Sequence, residues 1–355
     1  MARIVLADDG IHFNGQTLES KPLGGVETSV VLLMEELARR GHQVQIYNKC
    51  PAPMHHNGVF WSPIENGLPA EADLYIANRG DALLPLMPRA WRSVFWIHNP
   101  AGYLLKWRYL SKLWQIRPVI VFIGEYHATT CPAWIPDGGR EVIPYGIADI
   151  FLTAETAHSP PAPRAVFTSN PLRSLDWLLN LWVEQIKPRV PAAELHVFSG
   201  AATYGAVGDE KSKAMEAVQE RAKSLAGEGV VQRQPVPKAE LARELRDARV
   251  MLYRGDLNET FCLSVGEAQA MGVPTVVQNF GSVVERVIDG ETGFIARDNV
   301  AFASAAARLL EDDGLWLAQH QSALAKQRSW GWPEAADAFE GLIPGIDGTL
   351  KMDWD

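Results

Sequence analysis

"NETFCLSVGEAQAMGVPTVV" spans Asn258 to Val277 and holds two glutamates, Glu259 and Glu267, with seven residues between them. The preceding "VMLYRGDL" reads as a strand and then a loop. The stretch from about Phe261 to Met271 reads as a helix closed by Gly272 and Pro274, and "PTVVQ" reads as the next buried strand. A helix N-terminus presents free backbone N–H groups and a positive dipole end, which makes it a site for phosphate. Glu259 lies just before that helix and Glu267 about two turns into it, so the two carboxylates can meet opposite ends of an extended ligand. Carboxylates accept paired hydrogen bonds from vicinal hydroxyls, as on ribose or a hexose. The plain alternative is a pair of solvated helix acids, with Glu259 favoured only by the dipole.

Outward from this stretch the chain alternates strand and helix. "RIVLA" (Arg3 to Ala7) reads as a buried parallel strand, and "GGVETSVVLLMEELARRGH" as a helix with apolar residues at Val26, Val30, Leu33, Met34 and Leu37, ended by Gly41. "QVQIY", "DLYIA", "SVFWIH" and "PVIVFIG" are further short apolar strands. The polar, Pro-rich "TAETAHSPPAPR" (Thr153 to Arg164) interrupts the pattern and is the linker candidate. The alternation then restarts with "AVFTS", a helix from Ser174, "ELHVFSG", a helix from Asp209 to Ala226, "VMLY" and the opening helix. The expected fold is α/β, with two Rossmann-like, doubly wound, parallel-sheet domains facing a cleft, the usual place for a ligand.

Bulk properties narrow the function. A chain of 355 residues is long enough for two cores, and 47% hydrophobic with 21% charged residues is typical of a soluble globular protein. A net charge of −9 argues against nucleic-acid binding. Three scattered cysteines, Cys50, Cys131 and Cys262, form neither a disulfide framework nor a zinc pattern, which fits a reducing cytosol. The opening apolar run is too short for a secretory core, and no window reaches the roughly 20 apolar residues of a spanning helix. The expectation is a cytoplasmic protein without a metal site.

The motif "ETFCLSVGEAQAMGVPTVV" resembles the Glu-x7-Glu motif of the retaining glycosyltransferases of family 4, which have the GT-B fold. "GGVETSVVLLMEELARRGHQV" is similar to that family's N-terminal glycine loop and first helix. "VIPYGI" resembles its Pro-Asn-Gly segment, with Tyr145 in place of the usual Asn. "GSVVERVIDGETGFI" resembles its stretch after the second glutamate, and "SWGWPEAADAF" its terminal helix, which crosses back to the first domain. The resemblance divides the chain into an acceptor-side domain (1–155), a nucleotide-sugar-binding domain (156–330) and a returning terminal helix (331–355). It implies a metal-independent glycosyltransferase of hexosyltransferase type. The donor substrate is a nucleotide diphosphate sugar, with no cofactor, and the acceptor is a glycan or a lipid-linked molecule.

The resemblance also assigns residues. Glu259 would meet the donor sugar and Glu267 the ribose. Thr260 and the backbone N–H groups of Phe261, Cys262 and Leu263 would face the diphosphate. "FTSNPLRSLDWLL" holds Arg173 as its sole cation where the family has an Arg and a Lys, so the leaving diphosphate would rely on Arg173, alone or helped by Arg254 or Arg233. His98, which "FWIHNP" puts at the carboxyl end of an apolar strand, would lie near the reaction centre. Gly24 and Gly25 would let the backbone approach donor phosphate or sugar, and Glu27 would touch the acceptor. Asp8 and Asp9 in "LADDG" fit neither a receiver domain nor an Asp-x-Asp metal motif. An inverting transferase of the same fold or a nucleotide-sugar epimerase is the rival among enzymes. A nucleotide-sugar-binding protein without turnover is the rival outside them.

Residues 89–117 ("RAWRSVFWIHNPAGYLLKWRYLSKLWQIR") mix Trp with Arg and Lys and contain no Asp or Glu, a local reversal in an acidic chain. Lys106, Arg108 and Lys112 suit an anionic bilayer surface, implying peripheral contact at the inner face of the membrane. A core strand followed by a Trp-rich packing helix is the other reading of this segment.

Overall fold

Short β-branched runs buried on both faces can pair only inside a sheet that is covered on both sides, and this chain builds two such sheets. The computed structural model describes residues 1–20, 23–200 and 209–345. The chain folds into two compact units, each around its own sheet. The first comprises Met1–Glu19, Gly25–Gly146 and the chain from Trp332 onward; the second comprises Ile147–Gly331 with Ser20–Gly24. The expected terminal segment 331–355 therefore lies in the described structure only as far as residue 345.

The first unit contains β1 (Arg3–Asp8), β2 (Gln43–Asn48), β3 (Met54–His56), β4 (Val59–Pro63), β5 (Ala72–Asn78), β6 (Ala90–Trp96), β7 (Val119–Phe122) and β8 (Arg140–Val142). Their spatial order is β3-β4-β2-β1-β5-β6-β7-β8. Every pair is parallel except the β3–β4 hairpin at the edge. The direction of winding reverses between β1 and β5. One core cluster gathers Tyr75, Phe95, Ile97, Leu104, Leu113, Phe122 and Ile135.

The helix Trp332–Glu340 belongs to this unit and packs on the helix Gly25–Arg39. Arg40 is its staple. The guanidinium donates to Glu36 Oε1 at 2.8 Å, to Glu340 Oε2 at 2.8 Å and to the carbonyl of Pro333 at 2.6 Å, and it also pairs with Asp337. Phe339 meets the edge of the buried Trp96 ring at 5.3 Å.

The second unit contains β9 (Arg164–Phe167), β10 (Glu194–Phe198), β11 (Val230–Arg233), β12 (Val250–Leu252), β13 (Thr275–Gln278) and β14 (Gly293–Ala296), in the order β11-β10-β9-β12-β13-β14. All its pairings are parallel. Winding reverses between β9 and β12. The Pro-rich stretch from Thr153 lies inside this unit and leads straight into β9.

Three local expectations are corrected. The helix expected from Phe261 runs only Leu263–Ala270, because Cys262 adopts a left-handed φ of 65° that an L-residue helix cannot include. Glu267 consequently sits one turn into the helix, not two. Ser174 likewise has φ 66°, so its helix begins at Leu175. His98 lies two residues beyond the end of β6, whose last residue is Trp96.

Candidate active site

In a doubly wound sheet the loops leaving neighbouring strands diverge where the winding reverses, and ligands bind in the crevice outside those carboxyl ends. In the second unit the two loops follow β9 and β12. The first turns on Asn170, whose side chain accepts the Leu172 N–H at 2.9 Å and whose carbonyl accepts the Arg173 N–H at 2.8 Å. The second runs from Tyr253 to Cys262. Ser174 Oγ ties them together, donating to the Gly255 carbonyl at 3.2 Å.

This brings Arg173 and Glu259 into direct contact: the guanidinium Nη1 donates to Glu259 Oε2. The Tyr253 hydroxyl donates to the same oxygen at 2.8 Å. The backbone of Glu259 is fixed as well. Its N–H donates to the Asp256 carbonyl at 2.8 Å, and its own carbonyl accepts the Ser282 N–H at 3.0 Å. Only glycine suits the facing position. Gly281 has φ 67°, and a Cβ there would stand 2.1 Å from the Asp256 oxygen and 2.8 Å from that of Glu259.

Burial opposes the Arg173 charge, but its neighbours, the Glu259 carboxylate foremost, together offset this and hold the guanidinium above its ordinary pKa. Burial, then the Glu259 charge, pushes the Tyr253 hydroxyl well above its usual value, so it remains a donor. Burial also raises the Cys262 thiol, so the cysteine is no thiolate nucleophile.

Glu267 pairs with Lys238 Nζ, which also stands 5.6 Å over the Phe151 ring. At 7% and 4% exposure, Glu259 and Glu267 are not solvated helix acids. Thr260, Phe261 and Cys262 are buried on the same loop, and Leu263 opens the helix with no side-chain cap on its first N–H groups. Of the two proposed helper cations, Arg254 is sandwiched between the rings of Trp177 (5.0 Å) and Phe280 (4.6 Å) and donates to Gln278 Oε1 at 3.0 Å. Arg233 ends β11.

The first unit carries its own polar network where its winding reverses. Arg79, with a left-handed φ of 58°, donates through Nη2 to Asp8 Oδ2 at 3.0 Å and to Glu27 Oε1 at 2.8 Å. Asn78 Nδ2 donates to Asp8 Oδ2, so its Oδ1 faces His98 Nε2 at 2.5 Å. An amide oxygen only accepts, so His98 carries its proton on Nε2. The bare Nδ1 then accepts the Tyr145 hydroxyl at 2.5 Å. Burial, reinforced by the Arg79 charge, pushes His98 well below its ordinary pKa, so the ring is neutral. Both ring nitrogens of His98 are thus occupied within the unit. Gly25 begins the helix that carries Glu27, and Gly24 immediately precedes it.

The sequence reading passed over Asn78, Arg79, Tyr253 and Lys238, and it weighed Asp8 only as part of a receiver-domain or metal motif. A strand-terminal "NRGD" beside "ADDG" was the available signal for the first two. Among the described residues no group of three or more His, Cys, Asp or Glu could hold a metal ion. In the basic aromatic segment, Asp81 satisfies two of the three cations: Lys112 pairs with it at 2.6 Å and Arg108 at 3.4 Å. Lys112 and Arg108 thus share an ion pair with an acid from outside the segment. Trp107 and Trp114 are 73% and 68% exposed, one above the other on the helix Trp107–Ile116, whose Tyr109 and Leu113 face the core.

Residues 162–312 match the sequence profile of the family described as glycosyl transferases group 1. The D-inositol 3-phosphate glycosyltransferase of Corynebacterium efficiens is 33% identical over 110 residues, which is 30% of this chain and 26% of that protein. The Streptomyces avermitilis protein of the same name is 33% identical over 126 residues, 35% of this chain and 27% of the relative. The matched part thus spans less than a third of the length of these relatives. Among solved structures, sucrose-phosphate synthase of Thermosynechococcus elongatus aligns with a TM-score of 0.73 at 16% identity, covering 98% of this chain and 99% of the other. Anabaena HepE in complex with UDP aligns with a TM-score of 0.68 at 13% identity, covering 97% and 100%.

A pH dependence follows from the buried imidazoles. His98 and His127 are both neutral in the fold, with burial pushing His127 down to about 4. Unfolded, each titrates near ~6.5. Below that pH the unfolded chain binds more protons, so stability falls with pH by up to ~1.4 kcal/mol per unit for each histidine. The His127 contribution levels off below about 4. Urea unfolding between pH 7 and 5 checks the slope. Long-range ¹⁵N–¹H spectra at pH 6 should show His98 protonated on Nε2 only; a doubly protonated ring would contradict the network. The chain has a GT-B-type α/β fold, and its residues 162–312 carry the sequence pattern of the glycosyl transferases group 1 family.

Proposed function

We propose that the chain is a glycosyltransferase that takes a sugar from a nucleotide diphosphate donor, with retention at the anomeric carbon, and passes it to an acceptor hydroxyl. The observation that carries this is the pairing of Arg173 with Glu259 beside the uncapped start of the helix Leu263–Ala270, where the winding of the second sheet reverses. A cation, a buried carboxylate and a row of backbone donors suit a diphosphate joined to a polyol. In this reading Arg173 and the N–H groups of Phe261, Cys262 and Leu263 stabilise the charge that develops on the leaving diphosphate, usually the largest catalytic contribution. Glu259 orients the sugar and Glu267 the ribose. The leaving oxygen helps deprotonate the acceptor, and no metal is required. The engaged, neutral His98 gives this front-face scheme support over an inverting one, which needs a free general base in the first unit. The acceptor is a glycan or lipid-linked molecule, with Glu27 on its side.

Thermal shift across UDP-, GDP- and ADP-sugars tests the donor assignment, beginning with UDP because HepE was solved with it. A donor at 100 times its dissociation constant adds about 2.7 kcal/mol of stability, and EDTA should leave that shift unchanged. Glu267→Ala should weaken bare nucleoside diphosphate by roughly 1.5–3 kcal/mol in calorimetry. Unchanged diphosphate affinity would remove Glu267 from the ribose.

The same reading includes peripheral contact with an anionic bilayer through residues 89–117. Trp107 and Trp114 stand outward, and the segment carries Lys106, Arg108 and Arg117 with no acid of its own, although Asp81 from outside it pairs with Arg108. Tryptophan favours the headgroup zone, and each basic residue there adds about 1 kcal/mol. No helix among the described residues is long and apolar enough to cross a membrane. The protein should co-sediment with anionic vesicles, less with neutral ones, and less as salt is raised. Replacing Trp107 and Trp114 with Ser should abolish the sedimentation. Equal binding to neutral vesicles would point to the packing role alone.

A further inference from the structure

Glu259 has two carboxylate oxygens, and the protein uses one. Arg173 Nη1 and the Tyr253 hydroxyl both converge on Oε2, while no described residue donates a hydrogen bond to Oε1. We propose that Tyr253 is a positioning residue of the donor site: it fixes the Glu259 carboxylate through Oε2 so that Oε1 receives a hydroxyl of the donor sugar. The inference rests on the donor site set out under Proposed function.

Tyr253 is fully buried, its ring packed 6.0 Å from that of Phe167, and its hydroxyl points at Glu259. A buried hydroxyl is unfavourable unless it is hydrogen-bonded, so this contact fixes both partners. The Glu259 backbone is already held at its N–H and its carbonyl, which leaves the side-chain torsions as the remaining freedom. Tyr253 removes that freedom.

Arg173 cannot do this alone. It is a cation beside the diphosphate site, and an arriving diphosphate competes with Glu259 for it. A neutral hydroxyl on an immobile ring is not drawn away by the ligand's charge. Tyr253 therefore keeps the carboxylate aimed while Arg173 turns to the phosphates. A phenylalanine here would fill the same space without doing this.

Tyr253→Phe in the full chain tests the inference, since only the oxygen is lost and the ring still packs. Calorimetry would compare the bare nucleoside diphosphate with the nucleotide sugar that most stabilises the wild type. Turnover would compare that donor with its hydroxyl epimer. The diphosphate should bind within about twofold of wild type, and the advantage of the nucleotide sugar over it should fall about tenfold, which is ~1.4 kcal/mol. The kcat/KM preference for the donor over its epimer should shrink in parallel. A loss shared equally by diphosphate and nucleotide sugar would mark a merely structural tyrosine and overturn the inference, as would a variant that matches wild type in every measurement. If the wild-type chain binds no nucleoside diphosphate, the donor-site reading fails first, before any variant is made, and the inference falls with it.

Discussion

A carboxylate at 7% exposure persists as an ion only if the protein supplies partners for it, and Glu259 has two on one oxygen. Much of the second unit's local geometry follows from that requirement. Arg173 reaches it because the loop after β9 lies beside the loop after β12. The left-handed Ser174 and its bond to Gly255 hold those loops together. Gly281 leaves room for the Glu259 carbonyl. Cys262, also left-handed, starts the following helix so that its first N–H groups carry no side-chain cap. Buried ion pairs contribute little net stability, and breaking one partner is costly. Such an arrangement is better explained by what it holds ready than by what it stabilises.

The first unit solves a similar problem with different groups. Asp8 is fully buried at the end of β1, and Arg79 and Asn78, at the end of neighbouring β5, satisfy it. Acceptors and donors then alternate outward through Asn78, His98 and Tyr145, which leaves the imidazole one proton and one tautomer. Tyr145 thus has a structural consequence: a phenolic donor reaches Nδ1, and the ring stacks against His98 with centroids 5.8 Å apart. In both units the charged groups gather where the winding reverses, as expected of doubly wound sheets.

The alternation of short apolar runs with amphipathic stretches was readable directly. "RIVLA", "DLYIA" and "PTVVQ" all became parallel strands, because a run apolar on both faces has no other stable environment. Less regular pieces were not readable. The β3–β4 hairpin carries His55 and His56 and turns at Asn57 and Gly58, a weak period-2 pattern in a polar stretch. Helix starts at Ser174 and Cys262 depend on positive φ at residues other than glycine, which propensity does not anticipate. The Glu259–Glu267 spacing singled out two acids that the structure buries. Their partners Tyr253 and Lys238 lie 6 and 29 positions away and answer to no local rule. Asp81, outside the basic segment, cancels part of a charge pattern that looked uniform within it.

The most direct test of the account is calorimetric binding of a nucleoside diphosphate and of its sugar conjugate to Arg173→Gln and Glu259→Gln. If the pair divides the donor between them, Arg173→Gln loses affinity for both ligands by at least about tenfold, in line with a lost charged hydrogen bond. Glu259→Gln then binds the bare diphosphate as wild type does and loses only the added affinity for the sugar conjugate. Wild-type binding of both ligands by both variants would contradict the account.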